Sequence, residues 1–115
     1  MTQPGKIVLV RFPFADQAGS KPRPALVLRP VPGRHADWLV CMISTQLEAG
    51  VPGFDEVVRP TDADFGGTGL RFPSVVRLGR LAVVEERLLA GALGELSPAR
   101  FAAVLRRLAQ WFAPE

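Results

Sequence analysis

Only one stretch of this chain carries a clear helical period, and it lies near the end. Ser97 suits an N-cap, and Pro98 suits the first helical position, where a missing N–H is no loss. Phe101, Val104, Leu105, Leu108 and Phe112 then recur at helical spacing. Arg100, Arg106 and Arg107 fall off that stripe, and Pro114 follows the stop. A helix with one apolar face needs a surface to bury it against.

The preceding residues read as short strands that can supply such a surface. Residues 6–12 contain the apolar run Ile7-Val8-Leu9-Val10, and Pro13 ends that strand or puts it at an edge. Residues 16–22 are polar with Gly19, Ser20 and Pro22, and read as a loop. A second strand follows at 25–28, a turn at 30–33, and a third strand at 38–44. The third is nearly continuous in apolar residues and is expected to be central. A fourth strand is expected at 54–58, one helical turn and a loop at 61–69, and a fifth strand at 74–84, interrupted by Gly79. Residues 88–93 fit a strand or a helix equally. Five strands followed by one amphipathic helix predict a mainly β fold with a C-terminal α-helix, a small, partly open β-barrel. A length of 115 residues fits a single domain over 1–115.

Composition limits the functions available. Apolar residues make up 48% of the chain, enough for a real core. No apolar run approaches the roughly 20 residues of a membrane helix. The first residues lack the apolar stretch of a signal peptide, so a cytoplasmic protein without membrane association is expected. Cys41 is the only cysteine and His35 the only histidine. An internal disulfide is excluded, and neither a zinc site nor another cofactor is expected. Charge is uneven. Residues 1–34 hold Lys6, Arg11, Lys21, Arg23, Arg29 and Arg34 against Asp16 alone, and the remainder is slightly acidic. Every basic residue other than Lys6 and Lys21 is Arg, whose planar fork matches phosphate. The balance suggests an anionic partner, nucleic acid first. A GC-rich genome would produce the same Arg excess with most side chains merely solvated.

Four segments in this order resemble the PemK/MazF family of toxins: GKIVLVRFPF at 5–14, GSKPRPALVL at 19–28, CMISTQ at 41–46 and PSVVRL at 73–78. A weaker match, LGELS at 93–97, leads into the helix. The resemblance implies an SH3-like barrel of the CcdB/PemK type, a homodimer, and a toxin checked by a cognate antitoxin of the MazE/PemI kind. It further implies a metal-independent, sequence-specific endoribonuclease acting on single-stranded RNA through a 2′,3′-cyclic phosphate. Arg23, Ser44 and Thr45 fall on the family's catalytic positions. Lys21, Arg77 and Gln46 are expected to bind RNA, with Arg11 a further candidate.

The chemistry of these residues suits the roles. A guanidinium can hold two phosphoryl oxygens, and Pro22 and Pro24 stiffen the backbone around Arg23. Arg23 can equally pair with a carboxylate at a strand start. The hydroxyls of Ser44 and Thr45 can donate to a phosphoryl oxygen or engage the 2′-hydroxyl, or they can simply satisfy a turn. Adjacent strand residues face opposite ways, and Ser44 is favoured by register. Three departures stand out. Ser44 replaces the usual Thr. Lys6 replaces an acidic residue. Gly79 replaces an Asp that can act as a base in several members, which leaves Asp16 as a candidate acceptor. His35 lies in a turn that matches nothing in the family and is expected to be solvated. Two alternatives remain: a gyrase-binding toxin of the CcdB type, though the ending Trp111-Phe112-Ala113 lacks its pattern, and a degenerate member that only binds RNA or antitoxin.

Overall fold

The structure, a computed structural model, describes residues 1–11 and 21–115. The expectations for Phe12, Pro13, Asp16, Gly19 and Ser20 fall outside the described residues. Among the described residues six strands form one antiparallel sheet: β1 (Lys6–Val10), β2 (Arg23–Val31), β3 (Asp37–Ser44), β4 (Glu56–Val58), β5 (Ser74–Glu85) and β6 (Leu89–Glu95). Their order is β4-β5-β3-β2-β1-β6, and the sheet does not close into a full barrel. An α-helix, α1 (Pro98–Phe112), follows.

β3 is central, as its apolar run predicts, with β2 on one side and β5 on the other. The sixth strand is a finding that composition hides. Residues 89–95 read LAGALGE, with no β-branched residue, and only pairing with β1 makes them a strand. Gly79 does not break β5 either. Met42 pairs with Arg77 and Cys41 with Leu81, so Leu78, Gly79 and Arg80 form a bulge inside a continuous strand.

The two faces of the sheet carry different cores. Ile7, Leu26, Leu28, Ile43, Val76 and Leu78 form one core with Val104 and Leu108 of α1, and Phe101 and Leu105 pack against it. Four of the five residues of the stripe read from the sequence thus face this core, whereas Phe112, at the helix end, is 61% exposed. Val8, Val10, Ala25, Val27, Trp38, Val40 and Val84 form the second. Ser97 caps the helix by accepting from the Arg100 backbone N–H at 3.3 Å.

Near the open edge, the 3-10 turn Gly66–Thr68 packs onto β6. The approach is too close for side chains. A Cβ at Gly94 would lie 2.2 Å from the Gly67 carbonyl oxygen, and one at Gly69, where φ is +72°, would lie 2.1 Å from that of Leu93. This contact brings the segment from Gly69 to Ser74 alongside the ends of β2 and β3.

Candidate active site

A cavity of about 640 Å³ opens beside the ends of β2 and β3. Arg23 enters it from the first residue of β2, Ser44 from the last of β3, and Arg77 from β5, with Thr45 and Gln46 completing the wall. The register explains the convergence. Ala25 pairs with Met42, and Met42 with Arg77. Continuing the β2–β3 register two residues places Arg23 opposite Ser44. Cross-strand partners and residues two apart share a face, so Arg23, Ser44 and Arg77 project from the same side of three adjacent strands. Thr45 lies beyond the end of β3 and is exposed.

The local geometry fixes several of these groups. The Ser44 hydroxyl accepts from the Gln46 backbone N–H at 3.0 Å, which holds the turn and leaves the Ser44 proton available to donate. Arg77 is anchored by Asp55, whose Oδ2 lies 3.3 Å from its Nε. Asp55 is buried and is fully employed there. Its Oδ1 accepts from Leu78 N at 2.8 Å, and its Oδ2 from Val51 N at 2.9 Å. Leu78 is the first residue of the β5 bulge, so Asp55 satisfies a backbone N–H where the regular β3–β5 pairing is interrupted.

The cavity wall is strongly cationic. Arg71 and Arg80 line it along with Arg23 and Arg77, and no carboxylate or imidazole lines it among the described residues. Arg71, Arg80, Phe72 and Asp55 were not singled out by the sequence. Arg80 stood next to Gly79, two residues beyond the matching segment 73–78, and Arg71-Phe72 is a basic–aromatic pair of the kind nucleic-acid sites use. Asp55 had no local signal.

The other candidates lie elsewhere. Lys21 and Arg11 are exposed and do not line the cavity, although Lys21 is two residues from Arg23. His35 lines a separate small cavity with Asp37, Glu85, Glu86 and Arg87. Cys41 is buried, and its thiol is pushed up to about 12, first by desolvation and then by the Asp55 charge. It therefore remains a protonated core residue rather than a nucleophile. At Gly79 the backbone is exposed, and a Cβ would touch only Phe54 Cε2, at an ordinary 3.7 Å.

A family model described as the PemK-like, MazF-like toxin of type II toxin–antitoxin systems matches residues 3–112. No curated protein sequence matches. Among solved structures, the Mycobacterium tuberculosis toxin MazF-mt6 is 22% identical, with 93% of this chain and 95% of that chain covered and a TM-score of 0.65. An endoribonuclease in complex with its cognate antitoxin, from a mycobacterial species, is 16% identical, with 100% and 98% covered and a TM-score of 0.70. MazF from Deinococcus radiodurans is 19% identical, with 96% of each chain covered and a TM-score of 0.64. At these identities the structural likeness concerns the fold.

Proposed function

Since this chain belongs to the PemK-like, MazF-like toxins of type II toxin–antitoxin systems, we propose that it is an endoribonuclease that cuts single-stranded RNA without a metal ion. The observation that carries this reading is the convergence of Arg23, Ser44 and Arg77 on one cationic cavity. The RNA's own 2′-hydroxyl attacks the adjacent phosphorus. A bond from the 2′-oxygen to phosphorus forms as the bond to the 5′-oxygen breaks, leaving a 2′,3′-cyclic phosphate and a 5′-hydroxyl. The 2′-hydroxyl gives up a proton and the departing 5′-oxygen takes one.

Arg23 holds the charged phosphoryl oxygens as the pentavalent state forms, where a fixed donor is most effective. The Ser44 hydroxyl, with its proton free, donates to the same phosphate, and Thr45 and Gln46 line the strand's path. Arg77, held by Asp55, fixes a neighbouring phosphate. In a cell this chemistry would act on cytoplasmic RNA, restrained by a cognate antitoxin, in a toxin that works as a homodimer. Among the described residues no helix is long and apolar enough to cross a membrane.

One observation favours a second reading, a family member that binds RNA or antitoxin without cutting. No described residue lining the cavity can act as a carboxylate or imidazole base. Incubating the purified protein with a long single-stranded RNA in EDTA separates the two. Fragments ending in 2′,3′-cyclic phosphate support the nuclease, and methylating the 2′-hydroxyl before the scissile bond should abolish them. Bound but intact RNA, or cutting that persists on the methylated substrate, overturns the proposed chemistry.

A further inference from the structure

Phe72 is 62% exposed, yet it lines the same cavity as Arg23, Arg71, Arg77 and Arg80. Among the described residues the other exposed aromatic rings are Trp111 and Phe112, and these are paired: Trp111 meets Phe54 edge-on at 5.2 Å and Phe112 at 5.1 Å. A phenyl ring presented to water beside guanidinium groups adds nothing to a folded monomer and suits a ligand instead. The backbone holds it in place. The Ser74 hydroxyl donates to the Phe72 carbonyl at 2.8 Å, and Ser74 is itself only 2% exposed. Pro73 follows, which restricts Phe72 to extended backbone. The ring is therefore displayed from a stiffened segment, and ordering it on a ligand costs little conformational entropy.

We propose that Phe72 forms a nucleobase subsite, its ring stacking on one unpaired base while Arg71 and Arg80 neutralise the flanking phosphates. The subsite rests on the cavity being an RNA site. Two chemistries meet here that single-stranded RNA carries together: a flat π-face on every base and a negative charge on every linkage. An acidic protein segment would use the arginines equally well but has no need of a flat ring.

The probes are dye-labelled, 2′-O-methylated oligoadenylate and oligouridylate, which bind without being cut, titrated by fluorescence anisotropy. Phe72→Ala should weaken binding about tenfold, in the range measured for single base–aromatic stacks. Phe72→Trp should keep full affinity, and Phe72→Leu, apolar but not flat, should lose as much as alanine. Removing a stack releases no counterions, so Phe72→Ala should leave the salt dependence unchanged, whereas Arg71→Ala should reduce the slope of log K by about 0.7. Wild-type affinity in Phe72→Leu, or in Phe72→Ala, overturns the subsite alone. A Phe72→Ala protein that loses affinity for an oligoglutamate peptide but not for RNA overturns it in favour of a protein-docking surface. Wild-type protein that binds neither oligonucleotide overturns the subsite and the nuclease reading together.

Discussion

If the chain is the proposed nuclease, Arg23 and Gly79 make opposite predictions. Arg23 begins β2 at the cavity wall, where truncation removes a phosphate ligand and little packing, because the side chain is exposed. Arg23→Ala should lower the cleavage rate a hundredfold or more, about 2.7 kcal/mol, with the thermal midpoint nearly unchanged. Arg23→Lys should recover little, because a point charge replaces a two-pronged donor. A fully active alanine variant, followed by gel-resolved cleavage, would remove Arg23 from the mechanism. Gly79→Asp should do the reverse. The added side chain has room beside Phe54, in the bulge between Arg77 and Arg80, and the prediction is that its carboxylate takes the 2′-hydroxyl proton. Single-turnover kinetics should show a faster cleavage step. No change in a folded variant places the proton acceptor elsewhere, with Asp16 next to mutate.

The elements explain how much of this was legible. The helix was, because its N-cap, its proline and its apolar stripe are local features, and the central strand was, because a continuous apolar run suits a strand covered on both faces. What the sequence concealed depends on distant partners. Arg100 falls off the helical stripe and looks solvated, yet it bonds Asp64 through two nitrogens at 2.9 and 2.8 Å, Glu56 at 2.7 Å and Asp62 at 3.1 Å. Arg107 joins Glu56 and the carbonyls of Phe54 and Asp55. No spacing rule links a helix to a loop about forty residues earlier. The site shows the same division: Arg23, Ser44 and Arg77 stood in segments with a family resemblance, whereas Asp55 is known only by the bulge it serves. The cluster carries its own prediction. Arg100, then Ser97, hold the Asp64 carboxyl well below the usual carboxylate range. The unfolded chain thus binds the Asp64 proton more tightly than the folded one. The stabilisation is complete above about pH 4 and is lost as the pH falls through the folded value. Arg100→Ala should destabilise the fold by about 3 kcal/mol, because three carboxylates lose a partly buried partner. Asp64→Asn should flatten the loss of stability below about pH 4. Thermal unfolding across that range tests both, and an Asn variant as acid-sensitive as wild type would assign the sensitivity to other groups.

At the scale of the whole molecule, positive charge and exposed apolar surface point to partners. The formal excess of +3 understates the local field, because the carboxylates around Arg100 and Arg107 are consumed on the helix side while the cavity has none among its described lining residues. RNA affinity should fall steeply with salt. Four arginine–phosphate contacts would give a log–log slope near −3, about 0.7 per contact. An acidic antitoxin tail crossing the same surface would meet the same donors, so it can inhibit by occlusion without altering the fold. Val83 is 58% exposed near the end of β5, and the 48% apolar content is high for so short a chain, which suits a second copy covering part of the sheet. Sedimentation at micromolar concentration should therefore show a dimer, and the cognate antitoxin should displace a 2′-O-methylated RNA in proportion to its occupancy. Arg23→Ala and Arg77→Ala should weaken both ligands together, since each relies on the same cations. A monomer in sedimentation would remove the shared groove on which this inhibition depends. A dimer that binds antitoxin and RNA at once, with additive signals and no displacement, would leave the toxin assignment standing and place inhibition in a change of shape at the cavity.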